Sequence, residues 1–462
     1  MSEREESKGQ TELKRGVLGA WLLASYGIAA NAPIAVATLY FVGLAGLVGG
    51  AMPLTVVLSY IMYALTVFVM YLWSKEIASA YGYVAVIKKG LNSSLAAFTL
   101  GYGYIYQYWV AGAAGFGILG LASFLYLVSP SIASAMPWLW AVIVIILTVV
   151  ITLLMYFGVK PGGMLNLAVG IISIAYLIIT SIVLIIIAGK SNSFVPFTAI
   201  PIGNNWILAF TSMILGVTTF GGMTTEIGVA EEAKVPKSNL PKALLITFAL
   251  LGAGLILNAY AQTVIYGINN MYNYATLPDP MIIIYSKYFN PIIVYLLIIL
   301  VAIAFSSSAL AFATSGSRMI YGMARDNVLY PRAFAKVNKY GVPGNAIILT
   351  GIVTGALSLI TGYILGPLEA SIFLLIFGGF YVAFGHLFAA LGLIIHKIRT
   401  RAGKISGNII LISILSAISV VLYALVVYFA TYPAPAFPLN IAVFAAWGVL
   451  VLHIIVYYIL KA

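Results

Sequence analysis

Long apolar stretches alternate with short polar ones along the whole chain, and the apolar stretches are longer than soluble helices need. Trp138 to Met155 and Leu165 to Ala188 are predominantly apolar over the length, about 18 residues or more, that marks a membrane-crossing helix. The pattern predicts twelve such segments, near 16–37, 44–72, 94–128, 138–157, 164–188, 205–230, 241–267, 291–323, 345–363, 369–396, 407–430 and 437–460. The polar stretches between them are too short to hold a soluble domain. The loop 268–290, rich in tyrosine, reads either as an ordered loop with interfacial aromatics or as a helical piece capping one face.

Composition agrees: 63% of residues are hydrophobic and 7% charged, against about 25% charged in soluble domains. The fold class is therefore an all-α polytopic membrane protein. The N-terminal tail has no apolar signal region, so the first segment is expected to direct insertion. The net charge of +12 acquires meaning from its placement. When loops are assigned alternately to two sides, one side takes the N-terminus, Lys75, Lys88, Lys89, Lys160, Lys234 to Lys242, Arg318 to Lys339, Lys397 to Lys404 and the C-terminus. Of 23 Lys and Arg, only Lys190 and Lys287 fall opposite. The positive-inside rule makes the basic side cytoplasmic, with both termini inside and the plasma membrane as the location. The basic loops thus act as topology signals, and nucleic acid is not an expected partner; the lipid bilayer is. The chain has no cysteine, which excludes disulfides, thiolate metal sites and a cysteine nucleophile.

Two segments carry residues that do not suit an unbroken helix. The first holds Ser25, Tyr26, Gly27, Ala29, Ala30, Asn31 and Pro33; the sixth holds Gly221 and Gly222 among Thr218, Thr219, Thr224 and Thr225. Glycine frees the backbone and proline removes a donor. Freed backbone groups cost several kcal/mol each in lipid, so such breaks survive where they line a polar cavity. The two segments open two five-helix halves, 1–5 and 6–10, and paired interruptions at matching places point to an inverted-repeat transporter with a midplane site. Half-helix N-termini hold a carboxylate and free carbonyls hold an ammonium or a cation. An α-amino acid offers both charges.

The stretches "AEEAKVPKSNLPKAL", Ala230 to Leu244, and "SRMIYGMARDNVLYPRAFAKVNKYGVPGNAI", Ser317 to Ile347, together with "GIAANAP", Gly27 to Pro33, resemble the amino acid–polyamine–organocation superfamily of transporters. The resemblance implies a leucine-transporter-type fold: a 5+5 inverted repeat plus two C-terminal helices, twelve in all, with helices 1 and 6 unwound at mid-membrane. Residues 1–15 would form a cytoplasmic tail, 16–396 the transport core and 407–460 helices 11 and 12. It implies a small-molecule substrate, an amino acid or amine, moved by alternating access, and no cofactor. The carboxylate would meet N–H groups around Tyr26, Gly27, Ile28, Ala29 and Ala30. The amine would meet carbonyls around Thr219, Phe220, Gly221 and Gly222, with Thr224 nearby. Tyr102, Tyr106, Trp109 and Gln107 would shape the side-chain pocket.

This chain also departs from the pattern. Met223 and Thr224 stand where members often show an aromatic and an acid, and the glycine-aromatic element after helix 2 is shortened to Glu76, Gly82 and Tyr83. Helix 5 has Ser173 where proton-coupled members often carry a lysine. With Ser306, Ser307 or Ser308 and the carbonyls of Tyr26 and Ala29, it forms an oxygen set for Na⁺. Glu226 and His386 are the proton candidates, Glu226 being read either as a coupling group or as a side chain at the cytoplasmic mouth near Arg318. The alternatives are the same fold moving a polyamine, a nucleobase or K⁺, a channel, or a membrane-embedded enzyme. Isolated Glu226 and His386, with no paired aspartates and no HExxH, weigh against the enzyme. The sequence leaves the oligomeric state open.

Overall fold

A computed structural model describes residues 12–400 and 407–461. Most of the expected 1–15 tail and the basic loop 401–404 lie outside the described residues. Ten helical runs are long and apolar enough to cross a membrane, or eleven when Trp206–Ile214 and Val217–Glu232, bent by 41°, are taken as one. The first run, Ala20–Ser74, is 55 residues long. At 1.5 Å per residue it reaches ~80 Å, more than twice a hydrocarbon layer of ~30 Å. It turns at Gly49, whose φ of 50° only glycine adopts easily. Residues 20–48 and Met52–Ser74 are therefore separate rods, spans 1 and 2.

Span 3 is Ser94–Val128 and span 4 Leu139–Tyr156. Span 5 is Val159–Ala188. Span 6 covers residues 206–232, span 7 is Pro236–Tyr266, and span 8 Pro291–Arg325. Span 9 is Gly344–Leu365, span 10 Pro367–Thr400, span 11 Gly407–Thr431 and span 12 Leu439–Lys461. The expected segment 16–37 was too short: the first rod runs on to Val48, and the second starts at Met52 rather than 44. Other boundaries moved by a few residues, where polar residues such as Lys160 or Lys237 lie within the helix.

Burial sorts the spans. Span 3 is 83% buried within its most apolar stretch, whereas span 12 is 17% buried and spans 4 and 11 each 22%. The apolar faces of spans 4, 11 and 12 therefore face lipid, and spans 1, 3, 6 and 8 form the centre. Between spans 7 and 8, the loop 268–290 does hold helices, Met271–Tyr274 and Pro280–Tyr288. They are fastened by buried polar contacts. Tyr274 donates to Gln262 at 2.6 Å, Gln262 donates to Asn258 at 2.7 Å and to the Ala37 carbonyl at 3.2 Å, and Tyr285 meets Thr180 at 2.7 Å.

The stretch that ends span 6 is tied to span 8 by two ion pairs. Arg318 and Arg325 are seven residues apart, two turns along span 8, and so share a face. Arg318 takes Glu232 bidentately at 3.1 and 3.2 Å, both side chains fully buried. Arg325 takes Glu231 at 3.0 and 3.1 Å. The Glu232 carbonyl accepts the N–H groups of Val17 and Leu18, both at 3.0 Å, and Lys234 N–H donates to Leu18 at 2.8 Å. The start of span 1 is thus stitched to the end of span 6.

Candidate functional site

Span 1 is interrupted, five residues beyond the expected glycine. Ala20–Asn31 is an intact α-helix, and its ladder uses the N–H groups of Tyr26 to Ala30. The break falls at Ala32, left-handed at φ 48°, immediately before Pro33. Proline disfavours helix in the residue before it, which is why Ala32 rather than Gly27 leaves the helix. The expectation that Tyr26 to Ala29 offer free N–H groups to a carboxylate is therefore corrected. Gly27 serves packing instead: a Cβ there would collide with the Glu226 carboxylate.

Span 6 loses its α-helix at Gly216, tightens into 3₁₀ turns over Val217–Phe220, and turns through Gly221 and Gly222. Gly222 has φ 90°, and a Cβ on it would lie 2.8 Å from the Ala30 carbonyl carbon. The two breaks thus touch. Asn31 joins them, its Nδ2 donating to the carbonyls of Thr219 at 3.0 Å and Gly221 at 2.9 Å. Two carbonyl partners fix the amide orientation. Asn31 Oδ1 must then point away, and it is buried without a partner.

Beside this junction lies a cavity of ≈ 120 Å³. One water takes about 10–15 Å³ by the same measure, so roughly eight to twelve waters' worth of space is present. Span 1 contributes Ala30, Asn31, Val36 and Tyr40; span 6 contributes Val217, Thr218 and Gly221. Span 3 gives Gln107, Ala111, Gly112 and Phe116, and Tyr63, Phe312, Gly379 and Tyr423 help close the walls. Among the described residues, no Asp, Glu, Lys, Arg or His lines it. Its polar features are two carboxamides, tyrosine and threonine hydroxyls, and the broken backbone.

Helix geometry decides which face of span 3 is used. Gln107–Leu119 is π-helical, with i→i+5 bonds. In an α-helix, residues nine apart point in opposite directions. The wider winding fits nine residues into roughly two turns, bringing Gln107 and Phe116 to one face. Tyr102, Tyr106 and Trp109 lie on the other side of span 3 and line a different cavity, against the expectation.

Of the expected substrate residues, Ala30, Gly221 and Gln107 reach the central cavity. Tyr26 donates to the Val159 carbonyl at 2.7 Å, and Ile28 packs against Gly170. Thr219 gives its carbonyl to Asn31, and Phe220 stacks near Tyr60 with centroids 5.2 Å apart. Thr224 accepts from Tyr83 at 3.0 Å, and Tyr83 meets His386 Nδ1 at 2.9 Å, leaving His386 Nε2 unpartnered. The residues missed were Asn31, Tyr40, Tyr63, Phe116 and Tyr423. Asn31 carried a signal, a lone carboxamide two residues before proline in an apolar helix; the others carried none.

The coupling candidates separate. Glu226 is fully buried: Oε1 accepts from Thr247 at 3.2 Å, and Oε2 has no partner. Arg318 pairs with Glu232, so the reading of Glu226 as a mouth residue beside Arg318 is corrected. Ser306 bonds within its own helix to Ala302 at 3.0 Å. Ser307 donates to Asn166 at 2.7 Å, Ser308 donates to the Ala30 carbonyl at 2.8 Å, and Ser173 Oγ is buried without a partner. The Ala29 carbonyl already accepts Ala32 N–H at 3.0 Å. No cluster of three His, Cys, Asp or Glu suited to a metal occurs among the described residues.

The fold matches that of the manganese transporter of Eremococcus coleocola. A variant of that protein aligns over 96% of this chain and 94% of its own, with TM-score 0.54 and 12% identity. Its complex with an aromatic bis-isothiourea compound aligns over 95% and 94%, with TM-score 0.52 and 14% identity. Identity at this level speaks to the fold alone: a leucine-transporter-type, all-helical membrane architecture. An uncharacterized transporter of Legionella pneumophila is 26% identical over 317 residues, 66% of this chain and 66% of that protein, just under two thirds of its length. The model of the amino acid permease family matches residues 21–459. The chain, with its multi-pass helical core and paired helix breaks, belongs to the amino acid permease family.

Proposed function

We propose that the protein moves a small neutral amino acid across the plasma membrane by alternating access. The observation that carries this is the uncharged cavity at the Asn31 junction. A solute bearing net charge there would be desolvated without a countercharge, at a cost of several kcal/mol. A zwitterion balances itself and needs only dipoles and hydrogen bonds. Asn31 Oδ1 is the acceptor for its ammonium, and the Gln107 carboxamide supplies donors to its carboxylate. The same wall disfavours polyamines, K⁺ and divalent metals. The topology we assign is twelve crossings, counting spans 1 and 2 separately and span 6 as one, with both termini cytoplasmic.

Glu226 is the proposed coupling group, taking up a proton. It touches Gly27 across the two broken spans and has no ion pair among the described residues. Purified protein should bind neutral amino acids in a labelled panel and leave polyamines and Mn²⁺ unbound. In liposomes, uptake should follow an inward proton gradient and persist without Na⁺. Uptake that demands Na⁺ and ignores pH would move coupling to Ser173, Ser307 and Ser308. Binding of polyamines alone would overturn the substrate class.

A further inference from the structure

The aromatic stripe of span 3 lines a second cavity, of ≈ 460 Å³, on the opposite face from the central one. Tyr106 and Trp109 form one wall, with Leu357 of span 9, Phe377 of span 10 and His453 of span 12 around them. Leu329 and Tyr330, in the loop after span 8, close one end of the space, and Thr361 lies at the other. On span 9 its wall runs from Val353 to Thr361, ~12 Å along the helix. Leu357, Phe377 and His453 are only partly buried, so the slot opens sideways toward lipid.

Water is a poor occupant, because most of the polar side chains in the wall already have protein partners. Tyr106 OH meets His453 Nε2 at 3.0 Å, and His453 Nδ1 meets the Thr99 carbonyl at 3.2 Å. Trp109 donates to Thr350 at 3.2 Å and Thr361 to Leu357 at 2.6 Å. A buried water needs two to four polar partners, and few remain. The loop at the mouth, by contrast, is basic. It carries exposed Arg332, Lys336 and Lys339 against Asp326 as its one acid.

We propose that this slot binds one acyl chain of an anionic phospholipid from the cytoplasmic leaflet, with the headgroup on Arg332, Lys336 and Lys339. The assignment of the leaflet rests on the orientation proposed above. Apolar lining and lateral opening suit an acyl chain, and basic mouths on the cytoplasmic side attract anionic headgroups. The bound chain braces the outer face of π-wound span 3, whose inner face lines the central cavity.

The test is quenching of Trp109 fluorescence in phosphatidylcholine vesicles containing a minor fraction of phosphatidylglycerol with brominated acyl chains. The Trp109 contribution is obtained by difference from Trp109→Phe. Brominated phosphatidylglycerol should quench it several-fold more than brominated phosphatidylcholine. Val353→Phe, which fills the slot, should abolish the excess. The triple change Arg332→Gln, Lys336→Gln, Lys339→Gln should abolish the preference for phosphatidylglycerol while chain quenching remains. No quenching of Trp109 would overturn the acyl-chain site, and equal quenching by both lipids would overturn the headgroup assignment. Because the chain has no cysteine, Ala445→Cys reports a second copy directly; disulfide-linked dimers through it would place another copy over the slot and overturn the proposal. These readouts follow lipid contact rather than uptake, so they stand apart from any failure of the substrate assignment.

Discussion

Asn31 and Gly221 are joined by a hydrogen bond of 2.9 Å from the Asn31 carboxamide to the Gly221 carbonyl, across the two spans whose helices are interrupted. A donor on span 1 thus satisfies an acceptor that span 6 freed when it left the helix, with the same amide serving Thr219 at 3.0 Å. One side chain does for two membrane spans what water does for a loop.

Asn31→Ala removes both bonds and the acceptor facing the cavity. Amino acid affinity should fall by at least tenfold, about 1.4 kcal/mol. Asn31→Asp, which keeps the acceptor but adds charge, should bind neutral amino acids poorly and shift preference toward cationic ones. Competition binding on purified protein checks both.

Gly27→Ala should destabilise the fold by about 1–3 kcal/mol, because its methyl would meet the Glu226 carboxylate. Glu226→Ala opens the space, so the double variant should recover much of the lost melting temperature. A simple sum of the two losses would show that the residues do not touch.

Arg318→Ala should be among the most damaging changes where span 6 meets span 8. Glu232 would be left buried and unpaired, at about 3–5 kcal/mol. Arg325→Ala should cost about 1 kcal/mol or less, since the Arg325 side chain is 33% exposed and screened. Thermal unfolding in detergent separates the two.

Asp279 caps the outer helix Pro280–Tyr288, accepting from Ile282 N–H at 3.4 Å. Burial pushes its carboxyl up to about 7, against the opposing effect of that backbone hydrogen bond. A folded value above the unfolded one means the native state holds the proton more tightly. The stabilisation is complete below pH 3.8 and is lost as pH rises through about 7. The melting temperature should therefore fall between pH 4 and about 7 and then level, and Asp279→Asn should flatten that slope.

Tyr83→Phe cuts the link between Thr224 in span 6 and His386 in span 10. If His386 relays protons through this link, the pH dependence of uptake will change in Tyr83→Phe and in His386→Ala. Unchanged profiles in both would remove His386 from coupling and leave Glu226 as the remaining proton group.

The sequence by itself determined the membrane-crossing rods, since unbroken apolar length is a local property that lipid enforces on each segment separately. It also determined that spans 1 and 6 are special, because proline and paired glycines act on their own backbone. Its loop signature located Glu231, Glu232, Arg318 and Arg325. Which acid meets which arginine was a tertiary matter, settled by the two-turn spacing on span 8 against the end of span 6. The position of the first break was decided by Pro33 acting on Ala32, while Gly27, equally permissive, was committed to contact with Glu226 on another span. The lining of the cavity was decided furthest from the sequence. An α-period places Tyr102, Tyr106 and Trp109 together, and they do share one face, that of the second cavity; the π-winding from Gln107 onward brings Gln107 and Phe116 to the central one, and the ladder that a buried helix adopts depends on the spans packed around it.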